Sequence, residues 1–183
     1  MKITNTHILL DACCIINFAA SGFLFDILSC IPAQTVITKE VESELSNLPC
    51  SEAKSGGSLI QLQLAIEKQI LVITDFNSEG EESLFIDYAF TLGDDGEASI
   101  AAIAIHRSWS MATDDKKAIS LFRKETPHLE IISTLEIVKY WSQQANLDSY
   151  ELRKVLESIQ NNGSYVPHKN HPLLGWWLDS IKS

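Results

Sequence analysis

Four acidic residues occupy positions where their carboxylates could act together, and they are Asp11, Glu44, Glu97 and Asp115. Asp11 directly follows the apolar run Ile8-Leu9-Leu10, and Asp115 follows a second apolar segment, with Asp114 beside it. An ionised carboxylate at the end of an apolar strand is costly unless something pairs with it. Because hard carboxylate oxygens select Mg²⁺ or Mn²⁺ rather than zinc, the pattern predicts a site for one of these ions.

The elements that must position these residues alternate between strands and helices, which is typical of an α/β domain with a parallel sheet. Strands are predicted at 7–10, 33–37, 70–74, 109–113 and 129–132. Helices are predicted at 15–20, 23–28, 38–48, 59–69, 97–107 and 116–125, a loop at 47–58, and helical structure from 134 onward. Segment 75–82 is predicted as a solvated acidic loop that opens a helix reaching Phe90. Because open parallel sheets bind ligands at the carboxyl ends of their strands, Asp11 and Asp115 are expected to meet there.

Glu97 has two interpretations. Asp94, with Glu97 three residues later, has the outline of a capping box, which would make both residues structural. Ala101 and Ala104, however, lie on the same helix face as Glu97. Such small residues would let the helix approach the sheet closely and carry Glu97 towards the strand ends.

Glu44 also has two interpretations. Its neighbours Glu40 and Glu42 suggest an ordinary solvated helix face. Glu44 nevertheless borders an apolar stripe that begins at Val41, so it could face a cleft, with Glu40 as the next choice one turn earlier.

Composition limits the function classes. The net charge of −10 argues against a broad basic nucleic-acid surface, although a bound cation would offset the carboxylates that hold it. Lys116 and Lys117 could meet a nucleic-acid backbone, or could simply be an exposed first helical turn. The four cysteines form no CxxC pair, which indicates reduced thiols and a cytoplasmic location. The sequence contains no run of 18 apolar residues, so no membrane span is predicted.

Four segments, in order, resemble the PIN-domain family of metal-dependent nucleases. They are LLDACCIINF at 9–18, VESEL at 41–45, GEASIAAIA at 96–104 and ATDDKKA at 112–118. The resemblance implies a three-layer α/β/α sandwich with a central, mainly parallel sheet. It also implies a PIN-like nuclease domain over 1–133 and a C-terminal helical extension over 134–183, packed on the same domain.

The same resemblance implies an endoribonuclease that uses Mg²⁺ or Mn²⁺ and resembles the toxins of bacterial toxin–antitoxin modules. Asp11, Glu97 and Asp115 would bind the ion directly, Asp114 would be an additional or alternative ligand, and Glu44 would hold a metal-bound water or a second ion. Water activated by the metal would cleave RNA. A protein antitoxin and a homodimer are the implied partners.

One residue departs from the family pattern. Two positions after the first acid, the family usually has Ser, Thr or Asn, whereas this chain has Cys13, a weaker hydrogen-bond donor. This departure leaves a second hypothesis, a PIN-fold binding module that has lost catalysis. A third, a small-molecule phosphohydrolase, should show a phosphate-binding glycine loop, and the sequence contains none.

Overall fold

A five-stranded sheet forms the centre of the protein, as seen in a computed structural model that describes residues 3–47 and 56–182. The strands are β1 His7–Leu10, β2 Gln34–Thr38, β3 Leu71–Thr74, β4 Ser110–Ala112 and β5 Ile131–Ile132. Their order is β3-β2-β1-β4-β5, and every pairing is parallel. With helices on its faces, the sheet confirms the predicted three-layer α/β/α fold.

Helices connect the strands and continue after the last one. They are α1 Ala12–Ser21, α2 Leu24–Cys30, α3 Lys39–Asn47, α4 Gly56–Glu67, α5 Glu79–Leu92, α6 Asp95–Arg107, α7 Lys116–Glu125, α8 Thr134–Gln144, α9 Ser149–Asn162 and α10 Leu174–Lys182. The strand β1 and the helix α7 have the predicted bounds. α1 begins three residues before its predicted start, directly after Asp11.

Two boundaries around α3 and α4 bear on the predictions. Thr38 Oγ1 accepts a hydrogen bond from Val41 N at 3.2 Å, as expected of a helix cap. The predicted loop at 47–58 is wrong for 56–58, which belong to α4. The rest of its interior, and Leu48 at the predicted end of α3, lie outside the described residues. α4 ends before the predicted 69 because Gln69 adopts a left-handed φ of 56°.

The core lies on both faces of the sheet, so the central strand β1 is apolar after His7. Ile8, Leu9 and Leu10 are all fully buried, as expected for a parallel strand that is covered on two sides. Burying each such side chain stabilises the fold by about 1.5–3 kcal/mol. The C-terminal helices contribute to the same core through Trp141 and Trp177.

The acidic segment 75–82 differs from the prediction of a solvated loop. Glu81 is fully buried in the first turn of α5, where Arg107 Nε donates to Glu81 Oε1 at 2.6 Å and Arg107 Nη2 to Oε2 at 2.9 Å. Arg107 also donates to Thr74 Oγ1 at 2.9 Å. The bidentate contact stabilises the ionised carboxylate and keeps the pKa of Glu81 below its usual range.

In the part of the chain that the structure describes, no single helix has the length and apolar character needed to cross a membrane. Helices α1 and α2 meet those criteria only as a pair, and they are bent by 119° at their junction. Most of the apolar residues of this pair pack in the protein core.

Candidate metal centre

Asp11 lies where the carboxyl ends of β1 and β4 meet. It is the residue between β1 and α1, its side chain is only 6% exposed, and its backbone N–H donates to Ala112 O at 3.1 Å. Thr113 Oγ1 donates to Asp11 Oδ2 at 3.0 Å and accepts from Asp115 N at 3.1 Å. One hydroxyl therefore joins the two acids that the sequence predicted at this edge.

The Asp11 carboxylate is buried without serving as a helix cap. Within the described residues, its side chain makes no capping hydrogen bond, although it stands at the N-cap of α1. Burial raises the pKa of Asp11, while hydrogen bonds from Cys13 and Thr113 oppose that shift. A carboxylate with so little exposure to solvent needs a compensating positive charge when it ionises.

Cys13 contacts the Asp11 carboxylate from the first turn of α1. Its Sγ donates to Asp11 Oδ2 at 2.8 Å, so both donors converge on one carboxylate oxygen. The pKa of the Cys13 thiol is raised by its hydrogen bond with Cys14 and by burial, so the thiol keeps the proton that it donates. Cys13 therefore supplies an orienting contact for Asp11.

Glu97 belongs to the same cluster and is not used as a reciprocal cap. Asp94 Oδ1 accepts from Glu97 N at 2.8 Å, which is one half of a capping box. In α8 and α9, by contrast, both halves are present. Burial, together with the nearby charges of Asp115, Asp11 and Asp94, raises the pKa of Glu97 to about 8. Helix capping therefore accounts for the position of Asp94. It does not occupy the side chain of Glu97, whose carboxyl interacts with the cluster.

Small side chains bring α6 close to the sheet, as the sequence predicted. Ala101 and Ala104 are fully buried, and α6 packs against β1, β2 and β4. A hydrogen bond of 2.7 Å between Ser99 Oγ and Thr38 Oγ1 ties α6 to the end of β2. The close packing places Glu97 at the edge of the sheet.

Glu44 reaches the rim of the cluster from α3. A Cβ added to Gly96 would lie 3.1 Å from Glu44 Oε2 and 3.3 Å from Asp94 Oδ1, so both carboxylates pack closely on the backbone of Gly96. Partial burial, then the charges of Asp11 and Asp94, raise the pKa of Glu44. Glu44 itself is exposed, which suits a residue at the mouth of a site.

Glu40 lies one helical turn away from Glu44. Its Oε2 is buried, and no hydrogen-bond donor for it is present among the described residues. The charged groups with the largest effects on the pKa values of Asp11, Glu44 and Glu97 do not include Glu40. Of the two alternatives on α3, Glu44 is the one tied to the cluster.

Asp114 and Asp115 interact with different parts of the protein. Asp115 Oδ1 caps α7 by accepting from Ala118 N at 2.7 Å, and the charge of Asp115 is the first of those acting on Glu97. Asp114 Oδ1 accepts instead from Tyr165 Oη at 3.4 Å, after α9. The pKa of Asp114 is raised by burial and lowered in part by Thr134 and His171. Asp115 therefore faces the carboxylate cluster, whereas Asp114 faces the C-terminal helices.

The two predicted substrate-binding lysines differ in their surroundings. Lys116 is exposed at the start of α7. Lys117 Nζ donates to Leu92 O at 2.6 Å, which ties α7 to the end of α5. Its charge also lowers the pKa of Glu97. Both lysines are exposed, but Lys117 is held by its hydrogen bond to Leu92 O, so Lys116 is the freer of the two to meet a ligand.

Four residues at the site were missed as participants by the sequence interpretation, and Thr113, which joins Asp11 to Asp115, is one of them. Asp94 was identified only as a helix cap, yet its charge acts on Asp11, Glu44 and Glu97. Tyr165 and Thr134 contact or act on Asp114 from segments that carry no recognised motif. No local sequence signal marks the last two, because only the folding of the C-terminal helices brings them to β4.

The types of the donors fit a hard divalent cation, although among the described residues no three of these acids place oxygens within 4.8 Å of one another, so their side chains must move to hold one ion. Asp11, Glu97 and Asp115 come from three different elements, and the charges of Asp115 and Asp11 both raise the pKa of Glu97, which is the expected effect of carboxylates brought together without a cation. Their oxygens are the ligands that Mg²⁺ and Mn²⁺ prefer. No family model, no curated protein and no solved structure matches this chain, and its site is therefore interpreted from geometry alone.

Proposed function

We propose that this protein is a metal-dependent endoribonuclease that hydrolyses RNA phosphodiester bonds with Mg²⁺ or Mn²⁺. The observation that carries the proposal is that the buried Asp11 carboxylate and Asp115 meet through Thr113 Oγ1 at the carboxyl ends of β1 and β4. The charges of these two acids also raise the pKa of Glu97. Such a cluster is costly when it is ionised and empty, and a divalent cation removes the cost. The resemblance to PIN domains supports RNA as the substrate.

In this proposal Asp11, Glu97 and Asp115 hold the ion, and Glu44 stands at the rim. When bound, the ion activates water for attack and neutralises charge that develops on the scissile phosphate. Cys13 and Thr113 orient Asp11 through its Oδ2. Without a cation, the Glu97 carboxyl holds a proton at neutral pH, and binding of the ion requires that this proton be released.

The test is cleavage of a single-stranded RNA by the purified full chain, with and without Mn²⁺ or Mg²⁺. Asp11→Asn, purified in parallel, should lose activity by more than roughly 100-fold, since loss of even an outer-shell partner costs 10–100-fold in metal sites. Asp87→Asn, which changes an exposed acid on α5, is the matched control and should keep full activity. Full activity in excess EDTA, or in Asp11→Asn, would refute the mechanism.

The alternative function is a PIN-fold binding module without catalysis. The departure at Cys13 suggested it, but the Cys13 thiol still donates to Asp11. Calorimetric titration with Mn²⁺ and with RNA, together with the cleavage assay, separates the two hypotheses. Mn²⁺ binding with RNA cleavage supports the nuclease. RNA binding without Mn²⁺ binding or cleavage supports the module.

The proposed partners and location follow from the same function. A toxin of this kind would act in the cytoplasm and would be silenced by an antitoxin whose basic segment occupies the acidic rim at Glu44.

A second copy of the chain could cover Ile86 and Phe90, which lie one turn apart on α5 and are 66% and 94% exposed. Sedimentation of the native protein and of Phe90→Ser tests the homodimer. A small reading frame beside the gene tests the antitoxin.

A further inference from the structure

A second group of metal-binding atoms lies beside the carboxylate cluster, on the side of the C-terminal helices. It consists of Cys13 Sγ, Cys14 Sγ and a carboxylate oxygen of Asp114, and these three atoms all lie within 4.8 Å of one another. Both cysteines lie in the first turn of α1, and Asp114 lies shortly after β4. The fold rather than one loop therefore brings them together. The proposed ribonuclease mechanism uses neither Cys14 nor Asp114.

The surroundings of this group are polar but incompletely paired. Asp114 Oδ2 is buried and, among the described residues, has no partner at normal hydrogen-bond geometry, although Thr134 is close enough to lower the pKa of Asp114. Cys14 is fully buried and accepts from Thr134 Oγ1 at 3.2 Å. A buried carboxylate oxygen without a donor costs free energy, and a cation is one ligand that would remove this cost.

The donor types select a different ion from the one proposed for Asp11. Thiolates favour Zn²⁺ and related thiophilic ions over Mg²⁺ and Mn²⁺. A tetrahedral Zn²⁺ with Zn–S bonds of about 2.3 Å separates its sulfur ligands by about 3.8 Å. The three atoms lie within 4.8 Å of one another, so small side-chain movements would supply three ligands, and water would be the fourth. Cys13 and Asp114 are partly exposed and offer a path of entry.

We propose that Cys13, Cys14 and Asp114 bind Zn²⁺ or another thiophilic divalent cation, and that this binding weakens Mn²⁺ binding at Asp11. As each sulfur–metal bond forms, the S–H bond breaks and the proton goes to solvent, and no electrons are transferred. Cys13 then has no proton to donate to Asp11 Oδ2, so the carboxylate loses one of its two orienting donors. The weakening of Mn²⁺ binding, the second half of this inference, rests on the proposed metal site at Asp11. The binding of a thiophilic ion, the first half, does not.

The test of the first half is titration of the metal-free, reduced full chain with Co²⁺ and Cd²⁺. Binding should give a sulfur-to-metal charge-transfer band that saturates at one equivalent and should release protons. The variant in which both Cys30→Ser and Cys50→Ser are made is the matched control, because it removes the other two cysteines, and it should keep the band. Cys13→Ser and Asp114→Asn should weaken it at least tenfold. Absence of the band in the native chain, or its persistence in Cys13→Ser, would overturn the proposal.

The test of the second half is the Mn²⁺ affinity, measured by the paramagnetic resonance of free Mn²⁺ before and after one equivalent of Zn²⁺. Loss of an outer-shell partner predicts a fall of roughly 10–100-fold in the native chain. Cys13→Ser, whose hydroxyl can still donate to Asp11, should show no such fall. An unchanged Mn²⁺ affinity with Zn²⁺ bound would refute the coupling.

Asp11→Asn separates this inference from the proposed function. It should lose Mn²⁺ binding and retain the Co²⁺ charge-transfer band. If the native chain bound no Mn²⁺ but gave the band, the proposed ribonuclease site would fail while the thiophilic site stood. Loss of the band in Asp11→Asn would instead show that the two sites are one and would overturn the inference.

Discussion

Thr113 Oγ1 donates a hydrogen bond of 3.0 Å to Asp11 Oδ2, across the pairing between β1 and β4. Thr113 Oγ1 also accepts a hydrogen bond from Asp115 N at 3.1 Å. Because a hydroxyl has one donor and two acceptor positions, this one side chain sets the positions of two acids from different strands. The relationship makes Thr113 a positioning residue for the candidate metal centre.

Replacing Thr113 by valine should weaken the metal centre. Thr113→Val keeps the shape of the side chain but removes the hydroxyl, so Asp11 retains Cys13 as its orienting side-chain donor. Mn²⁺ affinity should fall by roughly 10–100-fold, the usual effect of losing an outer-shell partner. Calorimetric titration measures it. Thr113→Ser restores the hydroxyl and should recover most of the affinity, and a valine variant with native affinity would contradict this role.

Asp11→Asn should separate stability from function. In the metal-free protein, burial raises the pKa of Asp11, so the ionised form opposes folding. The neutral amide removes this cost, and its oxygen can still accept from Thr113. We therefore expect an unfolding temperature at or above the native value at pH 8, together with loss of Mn²⁺ binding. A large drop in the unfolding temperature would show that Asp11 is structural.

The outline of the fold was predictable because its signals are local. The apolar run before Asp11 predicted β1 with its observed bounds. The small residues of α6 predicted a helix that packs closely on the sheet, and the structure confirms this. These features depend on neighbouring residues alone, so one sequence is enough to identify them.

The side-chain environment was less predictable because it depends on distant partners. Glu81 looked like part of a solvated acidic loop, but Arg107, 26 residues later, pairs with it in the interior. Asp114 and Asp115 are adjacent in sequence, yet only the packing of the C-terminal helices gives Asp114 its contact with Tyr165. Local patterns contain no information on such pairings.

The stability of the metal-free protein should depend on pH through Glu97. Its pKa is raised from 4.5 to about 8 on folding, so the protonated carboxyl favours the folded state. This contribution is fully present below pH 4.5 and is lost as the pH rises through about 8. The unfolding temperature should therefore fall across this range, and the stabilisation by Mn²⁺ should grow over the same range. Thermal unfolding with and without Mn²⁺ measures both trends.

Glu97→Gln is the control for this pH dependence. The amide cannot titrate, so the unfolding temperature of this variant should change less between pH 5 and pH 8 than that of the native chain. Its stabilisation by Mn²⁺ should also be small at every pH. Identical pH profiles for the two proteins would show that Glu97 does not carry the effect.

The packing of α9 on α1 should be sensitive to the size of residue 163. Gly163 follows α9, and an added Cβ would lie 2.8 Å from Ile159 O and 3.2 Å from Ala20 Cβ, and in close contact with Asn17 Oδ1. Its φ of −87° is open to alanine, so Gly163→Ala tests overpacking alone and should cost about 1–3 kcal/mol of unfolding free energy. The matched change Gly175→Ala, in α10, meets no atom within 4 Å among the described residues and should gain about 0.5–1 kcal/mol from helix propensity. Urea unfolding of the two variants measures the difference, and equal stabilities would mean that α9 can move away from α1 without cost.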